Sequence, residues 1–482
     1  MNLQEITQDD IMPMVAVNEL CLDSRAAKPG DLFIALAEHD EDRLRHTTEA
    51  LSKGAVAVLT ETPLKDSALD AVYVFEDLKA RLGEMVSRFF GDPSSDLTLL
   101  AVTGTNGKSS VVHLGAQALN LLGVQASLIG TLGSGRPGDL KPATLTTPDV
   151  VTLQRELRTL KTLGSEVILI EASSHGLDQG RLDGVRIHSA AFTNLTHDHL
   201  DYHGTLEAYG QAKATLFRWP ALEVAIVNID DAFGKQLARE TTAKKVVTYG
   251  IENPIADVVA REVRTTHQGV SFELKAFDQS LRAETALLGR FNLSNVLAVV
   301  ACLIERGHAL ADIASILPRL QSPPGRLERI GLPLGEALID FAHTPDAVAS
   351  VLQTLRKHAR GRIVTLIGCG GDRDRSKRSL MGRIAFELSD EVIFTSDNPR
   401  SESPLAIARE MCGSLPDSFS PIIELDRREA IAQGMARLSS DDLLVILGKG
   451  HEDYQEISGI KHAFSDRATI ESLMSQGAAA HG

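Results

Sequence analysis

The stretch Ala101-Val-Thr-Gly-Thr-Asn-Gly-Lys-Ser-Ser110 limits what this chain can fold into more than any other. An apolar run, Leu97 to Val102, reads as a buried strand, and Val111 onward reads as a helix. Between them, Gly104 and Gly107 let backbone N–H groups approach an anion, and the start of the helix favours negative charge. Thr105, Asn106 and Ser110 complete the turn. Lys108 supplies a point charge to terminal phosphates and Ser109 a hydroxyl for Mg²⁺. Strand, loop and helix in this order predict a triphosphate cradle. The loop is shorter than a full Walker A motif, whose first glycine would fall at Val102.

At 482 residues the chain exceeds a single core and predicts about three domains. Its formal net charge of −15 argues against general nucleic-acid or anionic-membrane binding. The first residues lack the basic and apolar segments of a signal peptide, and no apolar run approaches the ~20 residues that span a bilayer. Cys21, Cys302, Cys369 and Cys412 are scattered without metal or disulfide spacing. Together these predict a cytoplasmic protein with reduced thiols, acting as a monomer without nucleic acid or membrane as partner.

The expected fold class is α/β. Residues 1–92 read as a small α/β domain with strands at Leu32–Leu36, Ala55–Leu59 and Ala71–Phe75, and with helical spacing around Thr48–Leu51. Gly91–Asp96 reads as a linker. Residues 93–327 read as a P-loop domain with a mostly parallel sheet, its strands at Leu97–Val102, Val167–Ile170, Ala190–Thr193 and Val224–Asn228. After a second linker, Pro323–Arg329, residues 328–482 read as a Rossmann-like domain with strands ending near Ile339, Ile367, Thr395 and Leu447. Polar clusters follow nearly every strand, where ligands gather in such sheets. Val167–Ile170 delivers Glu171 in the manner of a Walker B acid. The loop Thr196–Gly204 holds three histidines and two aspartates, but no cysteine and no helical histidine spacing of a catalytic zinc site. Read bare, Lys213 is a surface lysine and Arg326 a solvated linker charge.

Several motifs together resemble the Mur ligases, and the ATP loop alone also resembles the folylpolyglutamate synthetases. They are Gly104-Thr-Asn-Gly-Lys-Ser109, Asp198-His with His203-Gly, Ala342-His-Thr-Pro345, Asp397-Asn-Pro-Arg400 and Gly448-Lys-Gly-His-Glu452, in order along the chain. The resemblance implies an ATP- and Mg²⁺-dependent amide ligase working through an acyl phosphate. It implies Lys108, Glu171, His199 and a carbamylated Lys213 as catalytic groups, with Ser109, Glu171, His199 and Lys213 at the metal. Asn292, Arg326 and Asp340 join the loop in binding ATP by the same likeness. Asp23-Ser-Arg25 followed by Pro29-Gly-Asp-Leu-Phe33 resembles the uridine-nucleotide domain of members that add the third peptide residue. Ala37–Arg43 then replaces the glycine-rich segment expected there.

For such members the implied substrates are UDP-N-acetylmuramoyl-L-alanyl-D-glutamate and meso-2,6-diaminopimelate. Leu22 and Ser24 would face the uridine end, and Thr146, Thr147, Ser173, Gln179 and Arg181 the muramyl-dipeptide. Arg373, Asp397, Asn398, Pro399, Arg400, Gly448 and Glu452 would hold the amino acid. Arg400 belongs to the diaminopimelate signature, and a planar donor fork suits that substrate's second carboxylate. The plain alternative is that Arg400 pairs with Glu402 and Arg373 meets the carboxylate. A folylpolyglutamate synthetase and a nucleotide-dependent switch protein remain as rival readings, and no residue stands out as a general base.

Overall fold

The computed structural model describes residues 1–65, 69–416 and 418–480, with the side chains of 477–480 left aside. The chain divides into two compact units, Met1–Thr248 and Tyr249–Gly482.

The first unit opens with a parallel four-stranded sheet, Leu20–Cys21, Leu32–Ala35, Ala57–Thr60 and Val72–Val74 in spatial order. Leu20, Leu32, Ile34 and Leu59 on one face meet Leu78, Leu82, Met85 and Val86 of the helix Leu78–Phe89 in a closed core. The helical spacing seen near Thr48 extends over Asp40–Ser52, so Ala37–Arg43 leads into a helix whose first turn carries Asp40, Glu41 and Asp42. Acidic residues favour that end of a helix dipole. Gly91–Asp96 is docked rather than loose. Pro93 and Ser94 are buried, Ser94 accepts the Arg186 amide and Asp92 pairs with Arg186.

A second sheet of this unit carries the phosphate loop. Val224–Asn228, Ser189–Phe192, Thr98–Thr103, Val167–Glu171 and Ala126–Gly130 run parallel in that order, followed by antiparallel Gly133–Arg136 and Asp139–Lys141. The central strands are buried on both faces, which is why they read as unbroken apolar runs. Leu99, Ile168, Ile170, Phe192 and Val227 close a core against Leu153, Leu157 and Phe217.

In the second unit, Val258–Thr266, Gly269–Ala276 and Gln279–Thr285 form an antiparallel meander. A six-stranded sheet follows in the order Glu328–Gly331, Glu336–Asp340, Leu443–Leu447, Ile363–Ile367, Glu391–Phe394 and Ile422–Ile423. The first strand is antiparallel and the others are parallel. Helices cover both faces, Pro345–His358 and Ser376–Leu388 on one and Arg427–Ala436 on the other. The second expected linker, Pro323–Arg329, runs into the edge strand from Glu328, which takes in Arg329 and leaves Arg326 two residues before it. Among the described residues no helix is long and apolar enough to cross a membrane.

Candidate functional site

The first site grows from the end of Thr98–Thr103. Gly104 has φ +147°, and a Cβ there would lie 1.9 Å from the Thr193 hydroxyl. The loop is held from the neighbouring strand: Thr105 N–H donates to Asn194 O, and Asn106 N–H donates to Asn194 Oδ1 at 2.9 Å. Asn194 Nδ2 and Thr193 Oγ1 both donate to Asn106 O. Gly107, φ +88°, caps the helix Lys108–Leu121 without a side chain, leaving first-turn amides for an anion.

Lys108 Nζ donates to Gly104 O at 2.8 Å and Thr105 O at 2.9 Å. Lys213 Nζ donates to the same Gly104 O at 3.0 Å. The surface reading of Lys213 is therefore wrong: it is 1% exposed, in the last turn of Leu206–Ala214, with its ammonium 4.1 Å from the Tyr209 ring centroid. Burial, reinforced by Lys108, pushes its pKa down to about 6.

Glu171, 2% exposed, ends its strand opposite the loop. Its carboxylate accepts from Ser109 Oγ at 2.9 Å, Thr131 N–H at 2.8 Å and Thr131 Oγ1 at 3.2 Å. Burial raises its pKa, opposed by Lys108 and by the Thr131 and Ser109 donors. Thr146 Oγ1 lies 3.0 Å from Thr131 Oγ1. Thr147 Oγ1 donates to Glu171 O and meets Ser173 Oγ at 2.9 Å. Arg181 bonds Thr147 O and Gln179 Oε1, while Gln179 Nε2 donates to Tyr202. Asp149 caps the helix Val150–Thr162, which fixes the turn that delivers Thr146 and Thr147.

His199, exposed and in the left-handed region at φ +52°, lies 4.9 Å from His175 and 5.9 Å from Tyr209 between ring centroids. His199 and Lys213 thus both flank Tyr209. Beside this aromatic patch lies an open cavity of about 680 Å³, lined in part by Asp178, Tyr202, His203 and Arg218. Leu22 packs at the edge of the N-terminal core, and Ser24 is buried and donates to Glu49 at 2.7 Å. Sequence reading missed Thr131 and Thr193, and gave Asn194 and Tyr209 no role of their own. Asn194 stands just beyond a strand end, where polar clusters are expected.

The second unit carries two more clusters. Asp340 is buried and raised by that burial, against the pull of Arg326. Its two oxygens accept the amides of Leu327 and Ala342, each at 2.8 Å, so it anchors the segment bearing Arg326. Arg326 is not a plain solvated charge, because its guanidinium lies 5.0 Å over the Phe341 ring. Asn292 donates to Leu288 O and accepts from Asn295, both buried in the helix Arg290–Glu305.

At the other strand ends, Asp397 is buried and its carboxyl raised by burial, with Arg427 and Lys449 pulling the other way. Asn398 Nδ2 donates to Glu452 Oε2 at 2.8 Å, and buried Lys449 reaches the same oxygen at 3.1 Å. A Cβ on Gly448, φ +109°, would strike Asp397 Oδ2 at 2.3 Å. Arg400 is half-buried. It donates to Gly371 O at 2.7 Å and its carboxylate partner is Glu456, at 3.3 Å. Glu402, the partner considered from sequence, is taken by Arg378 instead. Arg373 is exposed on the facing loop, and Pro399 O packs on Gly371.

Residues 102–303 match the family model of the Mur ligase middle domain, and residues 325–450 that of the Mur ligase glutamate ligase domain. The chain is 46% identical over 459 residues to a UDP-N-acetylmuramoyl-L-alanyl-D-glutamate–2,6-diaminopimelate ligase of Pseudomonas aeruginosa, covering 93% of each chain. It is 43% identical to the protein of the same description from Chromobacterium violaceum, covering 94% of each. A solved structure so described superposes with a TM-score of 0.76 at 37% identity and covers 99% of both chains. A D-alanyl-D-alanyl-adding ligase of Acinetobacter baumannii shares the fold, with a TM-score of 0.63 at 21% identity over 98% of this chain and 96% of its own. Likeness at this level along nearly the whole of both chains means that this chain belongs to the Mur ligase family.

Proposed function

We propose that the protein joins meso-2,6-diaminopimelate to UDP-N-acetylmuramoyl-L-alanyl-D-glutamate at the expense of ATP, in cytoplasmic peptidoglycan precursor synthesis. The observation that carries the reading is Lys108, Lys213 and Glu171 converging on one glycine loop. On this reading residues 1–92 seat the uridine end, 93–327 ATP and 328–482 the amino acid.

A carboxylate is a poor electrophile. Its oxygen attacks the γ-phosphorus of ATP, ADP leaves, and an acyl phosphate remains. The amino group of the amino acid then attacks the acyl carbon, phosphate leaves, a proton passes to solvent and an amide is formed. The glycine loop and Lys108 hold the phosphates in line and offset their charge. Thr146, Thr147 and Ser173, joined through hydroxyl hydrogen bonds, would orient the acceptor.

The donor set fits Mg²⁺. Glu171 is a buried carboxylate held by hydroxyl and amide donors, which suits a hard cation that keeps several waters. Ser109, Glu171, His199 and Lys213 would hold it, and when bound it neutralises phosphate charge. Lys213 can join this set as an anion. With its pKa near 6 the neutral amine predominates at neutral pH, and it adds to CO₂ by forming an N–C bond and releasing a proton. The product is a carbamate, which carries a negative charge where the ammonium carried a positive one.

The test is phosphate release from ATP with UDP-muramoyl-dipeptide present and amino acids added in turn. Release that requires both the dipeptide and diaminopimelate is expected. Release with ATP alone would favour a switch protein, and release with a folate acceptor a folylpolyglutamate synthetase.

A further inference from the structure

Arg378 and Arg427 are the largest fully buried side chains among the described residues, and the chemistry above uses neither. Arg378 sits in the first turn of Ser376–Leu388, in a run of basic residues that reads as a solvated face. Its guanidinium donates to both oxygens of Glu402, at 2.9 and 2.7 Å, to Glu410 at 2.8 Å and to Gly370 O at 3.3 Å. Those partners belong to different places. Gly370 lies on the loop that carries Arg373, Glu402 on the loop that carries Arg400, and Glu410 on the helix Pro404–Cys412.

Glu402 passes the connection on. Its Oε1 also accepts the Asp372 amide at 2.6 Å, and the Asp372 carboxylate accepts Ser401 N–H at 3.1 Å and Ser401 O–H at 2.6 Å. The two loops then meet directly, with Gly371 N–H donating to Asn398 O at 2.9 Å and the Arg400 guanidinium donating to Gly371 O. The approach is close enough that a Cβ on Gly371 would lie 1.9 Å from Pro399 O. A planar fork can serve two carboxylates and a carbonyl in fixed directions; an ammonium cannot.

We propose that the Arg378–Glu402 pair positions Arg373 and Arg400 relative to one another, and so sets how tightly the site holds the second carboxylate of its amino acid. The proposal rests on the amino-acid reading of this loop cluster. Arg378 and Glu402 act through Arg373 and Arg400 and do not touch the substrate.

Glu410 provides the comparison, because it binds the same buried guanidinium from a helix, touches the Arg373 loop only at its end through Arg375, and does not lie on the Arg400 loop. A purely structural clamp predicts that Glu402→Gln and Glu410→Gln behave alike. The experiment compares both variants, and Arg378→Lys, with wild type. It measures KM for ATP, UDP-muramoyl-dipeptide and meso-2,6-diaminopimelate, the preference over lysine, and Tm. Glu402→Gln is expected to raise KM for diaminopimelate about tenfold and narrow the preference over lysine, with KM for ATP within about twofold. Arg378→Lys, which keeps the charge and loses the fork, is expected to show the same selective defect. Glu410→Gln should lower Tm with KM for diaminopimelate within about twofold. An equal rise in KM for Glu402→Gln and Glu410→Gln, or none in Glu402→Gln and Arg378→Lys, overturns the positioning role. Wild-type enzyme that releases no phosphate in response to diaminopimelate overturns the amino-acid reading itself, and the proposal with it.

Discussion

The loop around Gly104 and the loops around Gly371 both gather charge at strand ends, but they hold it in opposite ways. Near Gly104 the cations lean on backbone: Lys108 and Lys213 share Gly104 O, and Glu171 is held by Ser109 and Thr131. Burial there drives Lys213 and Glu171 toward their neutral forms. Near Gly371, Arg378, Arg400 and Lys449 each meet a carboxylate, and Glu402 is held down to about 2 by Arg378 and the Asp372 amide. A cation buried against a backbone carbonyl, as Lys213 is, is costly in the apo state. Paired charges fix geometry before any ligand comes.

The largest test of this contrast falls on the lysines. Lys108→Ala and Lys213→Ala should each lower kcat/KM on the order of 10³-fold or more, as loss of a preorganised charge at a phosphoryl centre does. Formate or acetate should restore part of the Lys213→Ala activity by standing in for the carbamate, and should do nothing for Lys108→Ala. Wild-type activity should fall as pH drops through about 6, where the amine becomes an ammonium that cannot take up CO₂. The stability sign follows from the same shift. Between about 6 and the ordinary 10.5 the unfolded chain binds a proton that the native one lacks, so stability rises with pH across that window. Lys213→Met should flatten that rise in urea titrations at several pH values. A ¹³C-carbonate NMR spectrum of active protein without a carbamate signal would dismiss the modification.

Next comes the buried pair Arg427–Asp466, both side chains 0% exposed. Arg427 also donates to Ser396 O and Leu447 O, the residues just before Asp397 and Gly448. Arg427→Met leaves Asp466 without its partner and should cost about 3–5 kcal/mol, lowering Tm by on the order of 10 °C. A loss under about 1 kcal/mol would mean that the second region does not depend on its ion pairs.

What the sequence made legible follows from the range of the interactions involved. Glu171, Asp340 and Asp397 were visible because a buried parallel strand reads as an apolar run and its next polar residue faces the sheet edge. The meander at Val258–Thr285 went unread, although Val270, Phe272, Leu274 and Ala276 alternate as a half-buried strand should. Arg378 and Arg427 were invisible for a different reason. Each stands among other charged residues near a helix start, and its carboxylates lie 24 to 39 residues away. Lys213 was misread bare for the mirror reason, since nothing local announces that its helix turns it onto the phosphate loop.

A more moderate effect is expected at Arg400. Lysine and diaminopimelate differ in the second carboxylate, and a charge-assisted bond to it is worth roughly 1.5–3 kcal/mol. Arg400→Ala should therefore reduce the preference for diaminopimelate by about ten- to over a hundredfold. The specificity constants for both amino acids measure it. Unchanged discrimination would pass the role to Arg373, and a wild-type preference for lysine would refute the substrate.

The smallest expected change distinguishes the two regions most directly, because it has opposite signs in them. Glu171 is a buried acid whose pKa burial raises, so the native state holds a proton more readily than the unfolded chain. Stability from this group is present below the ordinary carboxylate pKa and is lost as pH rises through the raised one. At neutral pH the carboxylate is a net cost that the site tolerates for the sake of the reaction. Glu171→Gln removes that cost while keeping the shape. The Gln Oε1 can still accept the Thr131 amide, and its NH₂ can donate to the Ser109 and Thr131 hydroxyls, which serve as donors or acceptors alike. The apo variant should be more stable than wild type by on the order of 1 kcal/mol, while its activity collapses. Glu402→Gln should be less stable than wild type, because it leaves Arg378 buried with one carboxylate fewer. Urea denaturation of both variants at pH 7 decides it: destabilisation by Glu171→Gln would mean that the first region, like the second, is held together by its charges.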